Sequence, residues 1–177
     1  EEQTGRLSQL GEILLDMTGL QTVERSDTIS LAALTEEVFC DLDPVADKHQ
    51  IRLIQTEGDC TVTGSYILLY RAVYNLVENA IKYNRPSGSV TVNIHSAESA
   101  VLEVTDTGIG ISPENQEKIF DPFYRVDKSR SRAMGGAGLG LALVSEIARQ
   151  HNGQVKVTQS SEKGSTIALI LPESTDY

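Results

Sequence analysis

Three observations predict an α/β fold: a two-layer sandwich with one mixed, mostly antiparallel sheet covered by helices on one face, plus an N-terminal helix. First, two segments carry apolar residues at helical spacing, Ser65 to about Tyr83 and about Leu139–Asn152. Second, two pairs of alternating segments, Ser89–His95 with Val101–Asp106 and Gln154–Gln159 with Ser165–Leu171, are separated by hairpin-length gaps. Third, shorter strands alternate with a helix ahead of them, and helices interspersed with hairpins stack as one sheet under one helical layer. The chain has 177 residues, 40% of them hydrophobic, enough to bury a core as one domain with an appended segment.

The elements follow in order. Leu7, Leu10, Leu14 and Met17 recur at three- and four-residue steps, the spacing of a helix with an a/d seam. Two heptads fit an amphipathic helix packed on its own domain as well as the severed end of an oligomerising helix. Gln21 to Asp27 is polar and reads as a linker. A short strand at Thr28–Leu31, a helix over roughly Ala33–Lys48, and strands near Ile51–Gln55 and Thr61–Thr63 come next. Ser65 is placed to cap the long helix, because its hydroxyl can accept an orphan N–H of the first turn. Pro86 and Gly88 then break the chain before the first hairpin. Pro113 opens a short helix to about Ile119, residues 121–137 show no periodicity, and Gly153 stops the last helix.

Charge and cysteine content narrow the function. Fifteen basic against 25 acidic residues give a net charge of −10 and a pI near 4.7, which argues against nucleic acid as the main partner. No apolar run approaches the roughly 20 residues of a membrane span, and the acidic start does not resemble a signal peptide. Cys40 and Cys60 fit neither a disulfide framework nor a metal site, so a reducing compartment is expected. The first residue is Glu1, so the sequence reads as a piece of a longer protein.

Four clusters carry chemistry. On the long helix, with Asn75 at the origin, Asn79 falls at about 40°, Lys82 at about 340° and Glu78 at about 300°. These share a polar face, while Val73, Leu76, Val77, Ala80 and Ile81 occupy the other. A solvated face is the ordinary explanation of such a stripe. Two mid-helix asparagines argue otherwise, since a free surface is more cheaply built from Glu, Lys or Ala. A neutral amide oxygen suits Mg²⁺ held mainly by phosphates and waters.

Second, Asp106-Thr107-Gly108-Ile109-Gly110 follows a strand, as an Asx-bonded turn or as a close backbone approach to a ligand whose exocyclic amine Asp106 accepts. Third, Gly135-Gly136-Ala137-Gly138-Leu139-Gly140 runs into a helix, exposing N–H groups and the positive dipole end to an anion. It matches neither the P-loop nor the dinucleotide fingerprint. Fourth, Arg125, Lys128, Arg130 and Arg132 concentrate positive charge in an acidic chain, either as a solvated loop or as a cationic flap over an anion. Phe120 and Phe123 are expected to clip that flap to the core at about 4 Å.

Together these strings resemble the catalytic, ATP-binding domain of two-component sensor histidine kinases, of the superfamily shared with DNA gyrase and mismatch-repair ATPases. Asn75-Leu-Val-Glu-Asn79-Ala-Ile-Lys82-Tyr83 is similar to the N box and Asp106-Thr-Gly-Ile-Gly110 to the first glycine box. Ile119-Phe120-Asp-Pro-Phe123-Tyr124-Arg125 resembles the F box, Gly136-Ala-Gly138-Leu-Gly140-Leu141 the second glycine box, and Gly164-Ser165-Thr166 the last glycine element.

The resemblance implies a kinase that transfers the γ-phosphoryl of Mg-ATP to a histidine on its own dimerisation domain, for relay to a cytoplasmic response regulator. The domain would cover 26–172, after the end of a dimerisation and phosphoacceptor helix with its linker at 1–25 and before a tail at 173–177. Asn79 would ligate Mg²⁺, with Asn75 and Lys82 beside the phosphates and Tyr83 near the nucleotide. Asp106 would bond the adenine amino group, supported by Thr166 through water, with Gly108 and Gly110 in its turn. Gly136, Gly138, Leu139 and Gly140 would line the phosphates under Tyr124, Arg125 and Lys128, with Arg125 acting in the transfer beside Asn75 and Lys82. The parent would be a membrane-anchored homodimer with this domain in the cytoplasm.

Three departures bear on this. His49, His95 and His151 lack the phosphoacceptor context, so the substrate histidine is expected outside this sequence and these three as surface or terminus residues. Asn84 and Ala137 stand where a small hydroxyl residue is common, with little consequence expected. Asn75 stands where ATP-hydrolysing relatives carry the Glu that activates water. An ATPase or a nucleotide-sensing module remains the alternative reading.

Overall fold

In the computed structural model, residues 19–126 and 138–174 are described. The predicted N-terminal helix seam lies outside them, as do Lys128 and Gly136. A short 3-10 turn at Leu20–Thr22 leads into strand β1 (Asp27–Ser30) and helix α1 (Leu31–His49). Strands β2 (Arg52–Gln55) and β3 (Thr61–Gly64) precede helix α2 (Tyr66–Lys82). The hairpin β4 (Ser89–Ser96) and β5 (Ala100–Asp106) follows, then helix α3 (Gly140–Gln150) and the hairpin β6 (Gln154–Ser161) and β7 (Gly164–Leu171).

Five strands form the mixed sheet in the order β2-β4-β5-β7-β6, with only β2–β4 parallel. β1 and β3 pair separately as an antiparallel ribbon, which the sequence did not distinguish from the main sheet. The short helix expected from Pro113 is two 3-10 turns, Pro113–Asn115 and Lys118–Phe120. Too few consecutive apolar positions are available there for a longer helix to bury.

Ser65 caps α2 as expected, its hydroxyl accepting the Leu68 N–H at 3.4 Å. Alternation places Val90, Val92 and Ile94 of β4, Leu102 and Val104 of β5, and Ile167, Leu169 and Leu171 of β7 on one buried face. Leu69, Val73, Leu76 and Ala80 of α2 and Val144 and Ile147 of α3 join them in the same core. α2 lies between α1 and α3, and Tyr66 and Tyr70 reach across to Glu37 and Asp41 of α1. Burial of one stripe of α2 leaves its Asn75–Asn79–Lys82 face half-exposed at the rim of the sandwich. No helix among the described residues is long and apolar enough to cross a membrane.

Candidate functional site

The site is built along the second half of α2, where two neighbouring segments approach its polar face. At the first approach, α3 begins beside Asn75: a Cβ added to Gly140 would stand 2.9 Å from Asn75 Oδ1. Asn75 is oriented within its own helix, its Nδ2 donating to the Arg71 carbonyl at 2.8 Å. Leu139 at the N-cap gives α3 no side-chain cap, so among the described residues its first N–H groups, at the positive end of the dipole, suit an anion. Leu139 is 4% exposed, so its side chain belongs to the core and only its backbone faces this end.

Gly138, at φ +75, sits against the F-box segment, where an added Cβ would lie 3.1 Å from the Tyr124 carbonyl oxygen and 3.3 Å from Arg125 Cγ. The Phe123 N–H donates to the Gly138 carbonyl at 3.0 Å. Arg125 is thereby anchored at the mouth of α3. Tyr124 is half-buried and its hydroxyl donates to Oδ1 of the buried Asn115, a residue the sequence reading passed over. Phe120 packs on the core, but Phe123 is 53% exposed with φ 64, so the expected pair of buried clips is a single one. Its N–H is hydrogen-bonded to the Gly138 carbonyl while the Phe123 side chain stays outside the core.

At the second approach, about 12 Å further along α2 by its 1.5 Å rise per residue, the turn after β5 meets the helix end. A Cβ on Gly108 would be 2.4 Å from the Tyr83 carbonyl oxygen. Tyr83 itself is 40% exposed beside this contact. Asp106 ends β5 on the helix-facing side of the sheet. Its Oδ1 accepts the Gly108 N–H at 2.8 Å and its Oδ2 the Ser165 hydroxyl at 2.8 Å. Burial pushes the Asp106 carboxyl above the usual carboxylate range, against the pull of those bonds. A further donor from a ligand would favour the ionised carboxylate.

The support expected from Thr166 comes from Ser165 instead. Thr166 pairs with Thr105 in register and their hydroxyls meet at 2.9 Å on the opposite side of the sheet. The signal was in the parity of β7: residue 165 alternates in phase with buried Ile167, Leu169 and Leu171. Gly110 is directed at β6, since a Cβ there would meet the Ser161 carbonyl oxygen at 2.0 Å. Its lack of a side chain is what lets the turn pack against β6.

Between the two approaches, Asn79 is half-buried, and its amide has no hydrogen-bond partner among the described residues. Lys82 pairs with Glu78 at 3.1 Å, an i,i+4 contact in the favourable order. A carboxylate acceptor at one end, a free amide in the middle, and uncapped N–H groups at the other suit a base, a metal-bound phosphate chain and its terminal phosphates. The amide oxygens of Asn79 and Asn75 are donors of the kind Mg²⁺ takes alongside phosphate.

His151 is a correction. It is buried at the end of α3, its Nε2 accepting the Ser65 N–H at 3.0 Å while Nδ1–H donates to the Ile147 carbonyl at 2.7 Å. It is a neutral structural bridge between the far ends of the two site helices.

This arrangement has known counterparts. Residues 64–175 match the family described as "Histidine kinase-, DNA gyrase B-, and HSP90-like ATPase". The chain belongs to that family, as an ATP-binding catalytic domain of the sensor histidine kinase kind. It is 37% identical over 180 residues to the sensor-like histidine kinase SenX3 of Mycolicibacterium smegmatis, covering 98% of this chain and 47% of that one. It is 38% identical over 179 residues to the sensor histidine kinase RppB of Synechocystis, covering 97% of this chain and 39% of that one. The mycobacterial sensor histidine kinase MprB superposes with a TM-score of 0.72 at 27% identity, over 85% of this chain and 99% of that structure. The chain therefore spans about half or less of the length of these curated relatives.

Proposed function

We propose that this domain transfers the γ-phosphoryl group of Mg-ATP to a histidine on a dimerisation domain of the same protein, for relay to a response regulator. In this reading Asp106, held by Gly108 and Ser165, accepts the adenine amino group, and Tyr83 lies beside the base. Asn79 Oδ1 binds Mg²⁺, which neutralises phosphate charge. Asn75 and Lys82 flank the phosphates, and the N-terminal N–H groups of α3 receive them. Phosphoryl transfer needs mainly positioning and charge neutralisation, and Arg125 beside Gly138 supplies a cation at the phosphate end. Lys128 and Gly136 would complete the phosphate end.

The observation that carries kinase over ATPase is Asn75. Its amide stands at the mouth of α3, where hydrolysis would need a base, and an amide takes no proton from water at neutral pH. The nearest carboxylate on the helix face, Glu78, is engaged by Lys82. Names of the relatives support the same activity, since each is called a sensor or sensor-like histidine kinase. In the whole protein, residues 1–25 would be the end of the dimerisation helix with its linker, 26–172 the catalytic domain and 173–177 a tail. The parent would act as a homodimer, anchored in the membrane with this domain in the cytoplasm.

The test mixes this chain with a longer form carrying the upstream helix, Mg²⁺ and γ-labelled ATP. Acid-labile, alkali-stable label on the longer form is the expected result. Release of free phosphate with no protein label would establish the ATPase reading instead.

A further inference from the structure

The base-recognition end of the site hangs on a hydrogen-bond knot that lies outside it. Asn84, the residue after Tyr83, uses every polar atom of its side chain. Its Nδ2 donates to the Ser89 carbonyl at 2.9 Å, and its Oδ1 accepts both the Arg85 N–H and the Thr107 hydroxyl, each at 2.9 Å. The Thr107 oxygen in turn accepts the Ser89 N–H at 2.9 Å, and the Thr107 N–H donates to the Ser89 carbonyl at 3.2 Å. Gly88 is required at the centre, because a Cβ there would stand 2.3 Å from Asn84 Oδ1 and 2.5 Å from the Thr107 hydroxyl.

This knot joins three segments: the end of α2, the start of β4 and the turn after β5. Asp106 and Gly108 are the two neighbours of Thr107, and Gly108 supplies the N–H that fixes the Asp106 carboxylate. A fourth segment is strapped on by Arg85, whose Nη2 donates to the Glu162 carbonyl at 2.6 Å. Glu162 lies in the β6–β7 turn, three residues before the Ser165 that holds the other oxygen of Asp106. Each donor to Asp106 is thus located, through Asn84 or Arg85, relative to the same helix end that carries Asn79 and Lys82.

We infer that Asn84 and Thr107 are positioning residues for base selection: they hold the Asp106 carboxylate in register with α2, so that it meets the 6-amino group of adenine and repels the 6-oxo group of guanine. The inference rests on the assignment of Asp106 to the base. Neither residue is among those assigned to the nucleotide. A carboxylate discriminates only where its distance from the ring edge is fixed, since a loose acceptor re-solvates and tolerates either base. Loss of one bond of the knot frees the turn without removing any group that contacts the ligand.

The experiment compares Mg-ATP and Mg-GTP affinities by calorimetry for the 177-residue chain and its Thr107→Val, Thr107→Ser and Asn84→Ala variants, with thermal midpoints in parallel. Thr107→Val, which keeps shape but deletes the hydroxyl that bonds Asn84 and Ser89, and Asn84→Ala, which also frees Ser89 and Arg85, should each weaken ATP about three- to tenfold, a modest loss because no group assigned to the ligand is removed. Both should narrow the ATP-to-GTP ratio by a similar factor, and Thr107→Ser should restore it. An unchanged ratio in both variants overturns the inference, even if their thermal midpoints fall. A wild-type chain that binds neither nucleotide, or both equally, removes the assignment of Asp106 itself, and the inference falls with it.

Discussion

The Nε2 atom of His151 accepts the backbone N–H of Ser65 at 3.0 Å, so the C-terminal end of α3 closes the N-terminal end of α2. Ser65 caps α2 from one side and His151 receives its amide from the other. The helix that presents Asn75 and Asn79 is thus held at its base by the helix whose opposite end is proposed to receive the phosphates. The imidazole serves only when neutral, with its proton on Nδ1 and donated to Ile147.

Burial, with the charge of Arg25, holds the His151 pKa below the ordinary value of 6.5, although the Ile147 bond pulls it up. A folded-state pKa below the unfolded one means that the unfolded chain binds more protons as pH falls. Full stability is present above about pH 6.5 and declines below it. Thermal midpoints should drop between about pH 6.5 and pH 5, and His151→Gln should flatten that slope. Parallel pH profiles in wild type and variant would exclude His151 as the group responsible.

Asp106 carries the opposite sign. Its folded-state pKa is raised, so the fold favours the protonated carboxyl; that contribution is present below the unfolded value and lost as pH rises through the folded one. Burial therefore disfavours the ionised form that base recognition calls for. Asp106→Asn should leave the nucleotide-free domain at least as stable at pH 7 while weakening Mg-ATP about 10- to 100-fold, the worth of a charge-assisted bond. Paired thermal and calorimetric measurements check both halves.

Asn79→Ala should remove the Mg²⁺ dependence of nucleotide binding, because its uncommitted amide is the metal ligand proposed on this face. Calorimetry with and without Mg²⁺ reads the difference, and an undiminished Mg²⁺ effect in the variant would refute the assignment.

Gly140→Ala sets two effects against each other. Alanine favours a helix interior over glycine by about 1 kcal/mol, and less at a first position such as this one, but its Cβ must displace the Asn75 amide that stands 2.9 Å away. Stability should change little while affinity for Mg-ATP falls about tenfold, as expected if the displaced Asn75 flanks the phosphates as proposed. Equal affinity in a folded variant would separate Asn75 from the phosphates.

Arg125→Ala should slow phosphoryl transfer more than it weakens ADP, since a cation at the terminal phosphate acts most strongly on charge that develops during the transfer. Equal losses in transfer rate and ADP affinity would assign Arg125 to ground-state binding.

Much of this was legible in the sequence. The long helix and both hairpins lie within a residue or two of their expected bounds, because periodicity and turn residues act over a few positions. The polar face of α2 was readable for the same reason. The role of Ser165 was also available, through alternation in β7, but the last glycine element drew attention to Thr166. The bonds of Asn84 are not legible locally, since its partners Ser89 and Thr107 lie 5 and 23 residues away.

By itself the sequence determined which side chains share a face and where each element stops, because those depend on repeat geometry and local capping. Only the tertiary structure decided that β5 lies between β4 and β7, so that Asp106 meets Ser165 across 59 residues of chain. It likewise decided that His151 is buried against Ser65, 86 residues earlier, although a histidine at a helix end reads as exposed. Such contacts are set by the order of strands and the docking of helices. They are chosen by the total burial of the core, which no short window of sequence contains.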